Sequence, residues 1–294
     1  VRQRLELGAK GENADVLVMT ATPIPRTLSL AQYGDMDVSI LDEKPPGRQP
    51  IKTALISDAR IDEVVAHLQN AITQGKQAYW VCPLVEESEV VTMTAAEERF
   101  KGLRAVLGDR EVGLVHGQMP PHEKDTAMAR FVAGETSVLV ATTVIEVGVN
   151  VPNATIMVIE GAESFGLAQL HQLRGRVGRG SAASTCLLVY AAPLSETATR
   201  RLQILRDSED GFRIAEEDLA IRGSGDFIGA AQSGLPRFKI ADLERDAGLM
   251  ALAQSDARAL LAKDPHLTSP RGVATRGLLW LMEQDKAIHL ISVG

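Results

Sequence analysis

No stretch of this sequence stays apolar for the roughly 18 residues a membrane-crossing helix needs, so no spanning helix is predicted. Residues 1–8 are polar and mixed, without the charged-then-apolar profile of a secretory leader. There is no initiator methionine, which fits an excised fragment and fits processing equally well. Cysteine is scarce. Cys82 and Cys186 each sit inside an apolar, strand-like run, which predicts buried, inert thiols in a reducing compartment, hence the cytoplasm, and no disulfide framework. The six histidines, at 67, 116, 122, 171, 266 and 289, are scattered, and none pairs with cysteine at ligand spacing, so no metal site is expected on this chain. Positive charge is not in excess. The net charge is −7, so any grip on a polyanion must come from a local basic surface. Also missing is Gly-x-x-x-x-Gly-Lys-[Ser/Thr], the loop that cradles nucleotide phosphates; the one Gly-Lys pair, Gly75-Lys76, runs on into Gln77.

What is present is an alternation. The chain's 294 residues suggest about two domains, with 45% hydrophobic and 23% charged residues, an ordinary globular balance. Apolar runs of strand length fall at 15–19, 51–56, 78–83, 112–115, 138–141, 155–159 and 185–190. Helical periods separate most of them. Asp58 can cap a helix with Ile61, Val64, Val65, Leu68 and Ile72 on one face, ended by Gly75. Thr94 and Glu97 form a capping-box pair for the next helix, and Pro120-Pro121 opens a third that runs to about Ala133. Strands alternating with helices of this length predict an α/β fold, a parallel sheet covered by helices. The turn-rich Lys44-Pro-Pro-Gly-Arg-Gln-Pro50 reads as a domain linker, and after about Pro193 helical, charged sequence replaces the strands. The expected divisions are therefore 1–44, 45–192 and a helical module over 193–294.

Three segments carry chemistry. In Gln172-Leu-Arg-Gly-Arg-Val-Gly-Arg179, arginines fall at 174, 176 and 179 on a segment that begins as a helix. Arg176 and Arg179 are three apart, a spacing that puts two side chains on one helix face, where they can converge on an anion. Gly175 and Gly178 allow a ligand or another backbone close approach. From 166 to 206 there are six arginines and one acid, Glu196, a basic stretch inside an acidic chain. In Ala141-Thr-Thr-Val-Ile-Glu-Val-Gly-Val-Asn150 a strand ends at two hydroxyls, Thr142 and Thr143, before a loop with Gly148. Ligands of parallel sheets sit at such carboxyl ends, and hydroxyls suit a phosphodiester backbone. In Thr20-Ala-Thr-Pro-Ile-Pro-Arg-Thr27 a rigid Pro-Pro turn follows the first apolar run.

Together these segments resemble the later motifs of superfamily-two helicases. Thr20 and Thr22 are similar to the motif coupling ATP state to DNA grip. Thr142 to Asn150 resembles the motif lining the DNA backbone and the nucleotide cleft, and Gln172 to Arg179 resembles the arginine-finger motif. Asp42-Glu-Lys-Pro-Pro-Gly-Arg48, Trp80-Val-Cys-Pro-Leu-Val-Glu-Glu-Ser88, Val115-His-Gly-Gln-Met119 and the run from Phe165 into Arg179 narrow the resemblance to the RecG type. Asp210-Gly-Phe, Glu217-Asp-Leu, Arg222-Gly-Ser-Gly-Asp226, Gly229 and Gln232-Ser-Gly234 resemble the translocation motif that type shares with the transcription-repair coupling factor. Residues 1–265 are covered; 266–294 match nothing residue by residue.

The resemblance implies an ATP-dependent DNA helicase whose second RecA-like lobe and helical C-terminal module lie here, acting on branched or duplex DNA as a cytoplasmic monomer. It implies catalytic roles for Arg176 and Arg179, nucleotide contacts for Gln172, Gly148 and Asn150, and DNA contact or coupling for Thr20, Thr22, Thr142, Thr143, Arg222, Gly225 and Gln232. The ligands for magnesium and the phosphate loop for ATP are expected in the first lobe, upstream of Val1. The family usually carries an acid where Asn150 stands, and asparagine keeps the hydrogen bonds but loses the charge. The glycines from 223 to 234 suggest a loop with positive φ angles or close backbone approach, and the resemblance implies that this loop reaches DNA. Three other readings remain: a coupling-factor motor, a stand-alone DNA-binding module, and a dinucleotide-binding oxidoreductase built on Gly223-Ser-Gly225. The last is disfavoured because charged, helical sequence precedes those glycines, not a buried strand.

Overall fold

The computed structural model describes residues 17, 19, 39–41, 43, 47–83, 89–142, 151–229, 240–241 and 246–283. They fall into two compact units, one centred on Leu41–Ile221 and one containing Arg222–Gly294.

The first unit alternates strand and helix: β1 (Ile51–Ser57), α1 (Ile61–Thr73), β2 (Gln77–Val81), α2 (Glu89–Leu107), β3 (Val112–Val115), α3 (Pro121–Val132), β4 (Val138–Ala141), β5 (Ala154–Ile159), α4 (Leu167–Arg174), β6 (Ser184–Tyr190) and α5 (Glu196–Asp207). α6 (Gly211–Gly229) follows. The strands form one six-stranded sheet in the order β1-β6-β5-β2-β4-β3, and every pairing is parallel. Parallel strands need long crossovers, which the helices supply, so both faces are covered and the strands read as continuous apolar runs. Period-two alternation divides β2 between the faces. Ala78, Trp80 and Cys82 pack against α1 and α2, while Tyr79 and Val81 join the face covered by α3, α4 and α5.

Local chemistry sets the ends. Ser57, not Asp58, caps the turn into α1: its hydroxyl accepts from the Ala59 amide at 3.4 Å. Gly75 ends that helix with φ +78°, as its position predicts. α2 begins at Glu89, which places Thr94 inside the helix and not at its cap. Pro121 occupies the first turn of α3, where its missing N–H is harmless. The run at 15–19 lies outside the described residues except for Leu17 and Met19, which are exposed and in no strand.

The strands end at β6, but the core of the first unit does not. Leu202, Leu205 and Ile214, from α5 and α6, are buried in the same cluster as Leu170 and Leu188. The division expected at 192 therefore marks the last strand, and α5 belongs by packing to the sheet.

In the second unit, α7 (Ala247–Lys263) and α8 (Pro270–Leu281) meet at a tight junction. The Asp264 carboxylate accepts from the Thr268 and Ser269 amides, each at 2.8 Å, and from both hydroxyls. Ser269 in turn caps α8 by accepting from the Gly272 amide at 3.1 Å. These bonds to the charged form, the Ser269 hydroxyl foremost, hold the Asp264 carboxyl down to about 2 from an ordinary 3.8.

Candidate functional site

The three arginines that the sequence groups together do not share a surface. α4 stops at Arg174, and Gly175 caps it, so Arg176 and Arg179 do not lie on one helix face as their spacing suggests. They stand instead on a turn. The Arg176 amide donates to the Leu173 carbonyl at 3.0 Å and the Val177 amide to the Arg174 carbonyl at 3.3 Å. Val177 is buried as the turn's anchor, and Gly178 takes φ +69° to reverse the chain. The physical reason is local: two glycines within four residues weaken the helix, and only glycine enters the left-handed region cheaply.

Arg174 points inward and is 2% exposed. Its guanidinium donates to the Leu205 and Ser208 carbonyls, the latter at 2.8 Å, and lies 3.1 Å from His171 Nδ1. Leu205 is in the last turn of α5, whose final carbonyls have no partner within the helix, and a cation there also meets the negative end of the helix dipole. Burial pulls the Arg174 pKa below its ordinary value, partly offset by Cys186 and Glu209.

Most of the basic stretch is likewise consumed internally. Arg200 meets Glu217 at 2.7 Å, Arg206 meets Asp207 at 2.7 Å, and Arg201 donates to the Phe165 carbonyl at 2.9 Å. Arg179 is exposed, with Nε 3.3 Å from the Gly175 carbonyl, and Arg176 is half-buried. Both lie near enough to the buried phenol of Tyr79 to oppose the upward push that burial gives its pKa. Two guanidinium groups on one short turn are chemically suited to an anionic phosphoryl group.

The turn packs beside the amino ends of the strands. A Cβ at Gly178 would sit 2.9 Å from Ile51 Cγ1 and 3.7 Å from Ser184 Cβ, and those residues open β1 and β6. Thr142 lies at the other end. It follows the last residue of β4, is 3% exposed, and donates its amide to the Val115 carbonyl at 3.3 Å. Thr142 is thus at the carboxyl end of its strand, as expected, while the arginine turn lies at the opposite edge of the sheet. Val151-Pro152, directly after Asn150, does approach the turn: a Cβ at Gly180 would lie 3.6 Å from the Pro152 carbonyl. Gln172 is half-buried within α4. Thr20, Thr22, Thr143, Gly148, Asn150 and Gln232 lie outside the described residues.

Arg222 and Gly225 fall within α6, which runs on to Gly229. The loop expected from Gly223 is therefore helix up to that point. Interior glycine costs about 1 kcal/mol relative to alanine, too little to break a helix otherwise supported.

Sequence reasoning missed Arg48. Its Nε donates to the Gly178 carbonyl at 2.8 Å, tying the linker to the turn across 130 residues. It also missed the half-buried cluster in which the Glu160 carboxylate accepts from Trp80 Nε1 at 2.8 Å and from Arg99 at 2.6 and 2.9 Å. Among the described residues no group of three or more His, Cys, Asp or Glu could hold a metal ion.

A parallel six-stranded sheet with helices on both faces and an arginine turn after a short helix is the second RecA-like lobe of a helicase. The family model described as helicase conserved C-terminal domain matches residues 60–181. A second model, ATP-dependent DNA helicase RecG, domain 3, C-terminal, matches residues 208–288. The chain belongs to the RecG family, to whose C-terminal portion it corresponds. It is 53% identical over 270 residues to the ATP-dependent DNA helicase RecG of Escherichia coli K12, covering 90% of this chain and 39% of that protein. Against the Pasteurella multocida RecG it is 52% identical over 296 residues, covering 99% and 42%. The solved structure of RecG bound to a three-way DNA junction aligns with TM-score 0.65 and 46% identity, covering 82% of this chain and 31% of that one. The chain thus spans about two fifths of the length of the curated relatives it matches.

Proposed function

We propose that this chain is the second motor lobe and translocation module of an ATP-dependent DNA helicase that remodels branched DNA, such as forks and Holliday junctions. The observation that carries the reading is the arginine turn: Arg176 and the exposed Arg179 stand on one short turn fixed by its backbone bonds, within a chain 52–53% identical to RecG relatives. The donor set fits a nucleotide polyphosphate. Bound ATP would supply the transferring phosphoryl group; magnesium ligands and the phosphate loop are assigned to the first lobe. Arg176 and Arg179 hold positive charge at the lobe surface, where developing phosphoryl charge is stabilised. In this reading Gln172, Gly148 and Asn150 orient the nucleotide, Thr20, Thr22 and Thr143 meet the DNA backbone, and the buried Thr142, expected among those contacts, anchors that segment at the end of β4. Arg222, Gly225 and Gln232 couple the lobe to DNA movement.

Residues 1–44 then close the first lobe, 45–192 hold the second lobe's strands, and 193–294 carry the helical module. No helix among the described residues is long and apolar enough to cross a membrane; a cytoplasmic location and a monomer are assigned by the resemblance.

The test is Arg179→Ala in an intact enzyme carrying both lobes. Nucleotide binding should persist while DNA-stimulated hydrolysis falls by about 10³ to 10⁵, the worth of arginine fingers in well-studied phosphoryl transfer. Hydrolysis within a few-fold of the unaltered enzyme refutes the role. The isolated chain should show no turnover above background, because it has the finger without the phosphate loop.

A further inference from the structure

An arginine finger works only if the backbone beneath it is fixed. Both finger side chains are long and flexible, so their tips inherit any displacement of the turn at 175–179. Two side chains among the described residues tie that turn to the rest of the fold. On one side the buried Arg174 guanidinium bonds the Leu205 and Ser208 carbonyls and approaches His171. On the other, Arg48, the last residue of the Pro-Pro-Gly-Arg segment, donates to the Gly178 carbonyl, midway between the two fingers in sequence. Ile51, three residues beyond Arg48, fills the space a Gly178 side chain would take.

We propose that Arg174 and Arg48 are positioning residues for the fingers: two guanidinium clamps that grip the turn from opposite sides and do not touch nucleotide. This rests on reading Arg176 and Arg179 as the fingers. Arg174 is suited to the task because its planar fork bonds two carbonyls at once and stays charged when buried. It joins the turn to the end of α5 and to Ser208. The Ser208 hydroxyl accepts from the Asp210 amide at 3.1 Å, and Asp210 caps α6 through the Phe212 amide at 2.9 Å. The turn and the start of α6 are thereby one hydrogen-bonded body. Arg48 gives the turn a second fixed point on the linker, so the linker carries a catalytic consequence as well as connecting domains. Displacement of a reacting group by about 1 Å from a change outside the chemistry can cost on the order of 10²-fold in rate. Releasing either clamp should therefore slow hydrolysis without loosening the nucleotide.

The experiment uses the intact two-lobe enzyme and compares Arg48→Met, Arg48→Lys, Arg174→Lys and Arg179→Ala. For each, DNA-stimulated kcat is measured beside the Kd of a fluorescent, non-hydrolysed ATP analogue. Arg48 is half-buried at the linker, so its variants keep the core even if Arg174→Lys weakens folding. Arg48→Met should lower kcat by about tenfold or more while Kd stays within about threefold, the signature of an interaction expressed in the transition state only. Arg48→Lys should recover part of the loss, because its ammonium can still reach one carbonyl, and Arg174→Lys should fall between wild type and Arg179→Ala. A normal kcat in Arg48→Met, with Arg179→Ala inactive, overturns the clamp and leaves the fingers standing. Equal losses in kcat and affinity also overturn it, since they place Arg48 on the nucleotide. Normal hydrolysis in Arg179→Ala overturns the finger reading itself, and the clamp with it.

Discussion

Replacing Gly178 with alanine tests the fit of the arginine turn against β1, and the structure supplies its own controls. Gly75, Gly134 and Gly178 all have positive φ, at +78°, +75° and +69°. Alanine in that region costs about 1–2 kcal/mol from the clash of its Cβ with the backbone. At Gly75 and Gly134 nothing lies within 4 Å of the new carbon, so that is the whole effect. At Gly178 the carbon would sit 2.9 Å from Ile51 Cγ1 and 3.2 Å from its Cδ1. Forcing a methyl into such a site adds about 1–3 kcal/mol of overpacking. Gly178→Ala should therefore destabilise by about 2–5 kcal/mol, against about 1–2 for the controls.

Each kcal/mol shifts Tm by roughly 2–4 °C in a domain of 150–250 residues. The readout is Trp80 fluorescence on thermal melting in a Trp280→Phe background. Trp80 is fully buried in the sheet unit, whereas Trp280 is 71% exposed and would dilute the signal. Adding Ile51→Ala removes the overlapping atoms, so the double-mutant cycle should give a favourable interaction energy of about 1–3 kcal/mol. If Gly178→Ala melts with the controls, or the cycle shows no coupling, Ile51 yields freely and the turn is not held against β1.

Further outcomes follow from other sites. Asp264 has a folded pKa of about 2, below its ordinary 3.8, so its contribution is present above pH 4 and is lost as pH falls toward 2. Asp264→Asn should flatten that part of the acid-unfolding profile of α7 and α8, read by circular dichroism; an unchanged slope would sink the assignment. The thiols of Cys82 and Cys186, pushed up to about 12 by burial, should ignore a thiol reagent in the native protein at mildly alkaline pH. Both should react once it unfolds, and reaction of either beforehand contradicts the packing. Glu160→Ala strands the Trp80 indole N–H and the Arg99 guanidinium, whose ion-pair side chains are 28% and 26% exposed. The loss should be about 2–3 kcal/mol, moderated by that exposure, with a shift in Trp80 emission; a variant as stable as wild type would show the cluster to be idle.

The strands were legible because a parallel sheet buries both faces of each strand, and the resulting Val/Leu/Ile runs are unlike anything a helix needs. Boundaries were less so. Asp58 and Ser57 are both good caps, and only backbone geometry decides that the serine hydroxyl meets the Ala59 amide. The motif at 172–179 announced its arginines but not their directions. Spacing cannot tell that α4 ends at Arg174, which turns the first arginine inward to the carbonyls of α5 and leaves the other two on a turn. Counting charge over 166–206 could not say where each guanidinium goes: arginine is as useful for capping carbonyls as for binding phosphate, and Arg201 does the former. The glycines at 223, 225 and 229 pointed to a loop because composition suggests flexibility, whereas the helix simply continues through them. Arg48 was legible only as part of a family-like segment; its contact was not, since its partner is a main-chain carbonyl with no identity in sequence.

The order of strands also bears on how the lobe is made. Among the described strands β1 comes first in the sequence, yet its sheet neighbour is β6, the last of them. A ribosome adding about 5–20 residues per second needs on the order of ten seconds to span the 130 residues from Arg48 to Gly178. During that interval Ile-Lys-Thr-Ala-Leu-Ile-Ser, with its row of unpaired amides and carbonyls, is an open template for any other strand. The turn that carries Arg176 and Arg179 reaches its seat against Ile51 only when β6 closes that gap. On the proposed finger reading, completing the fold and setting the finger are then a single event, and chains that stop short of β6 should lack a working arginine.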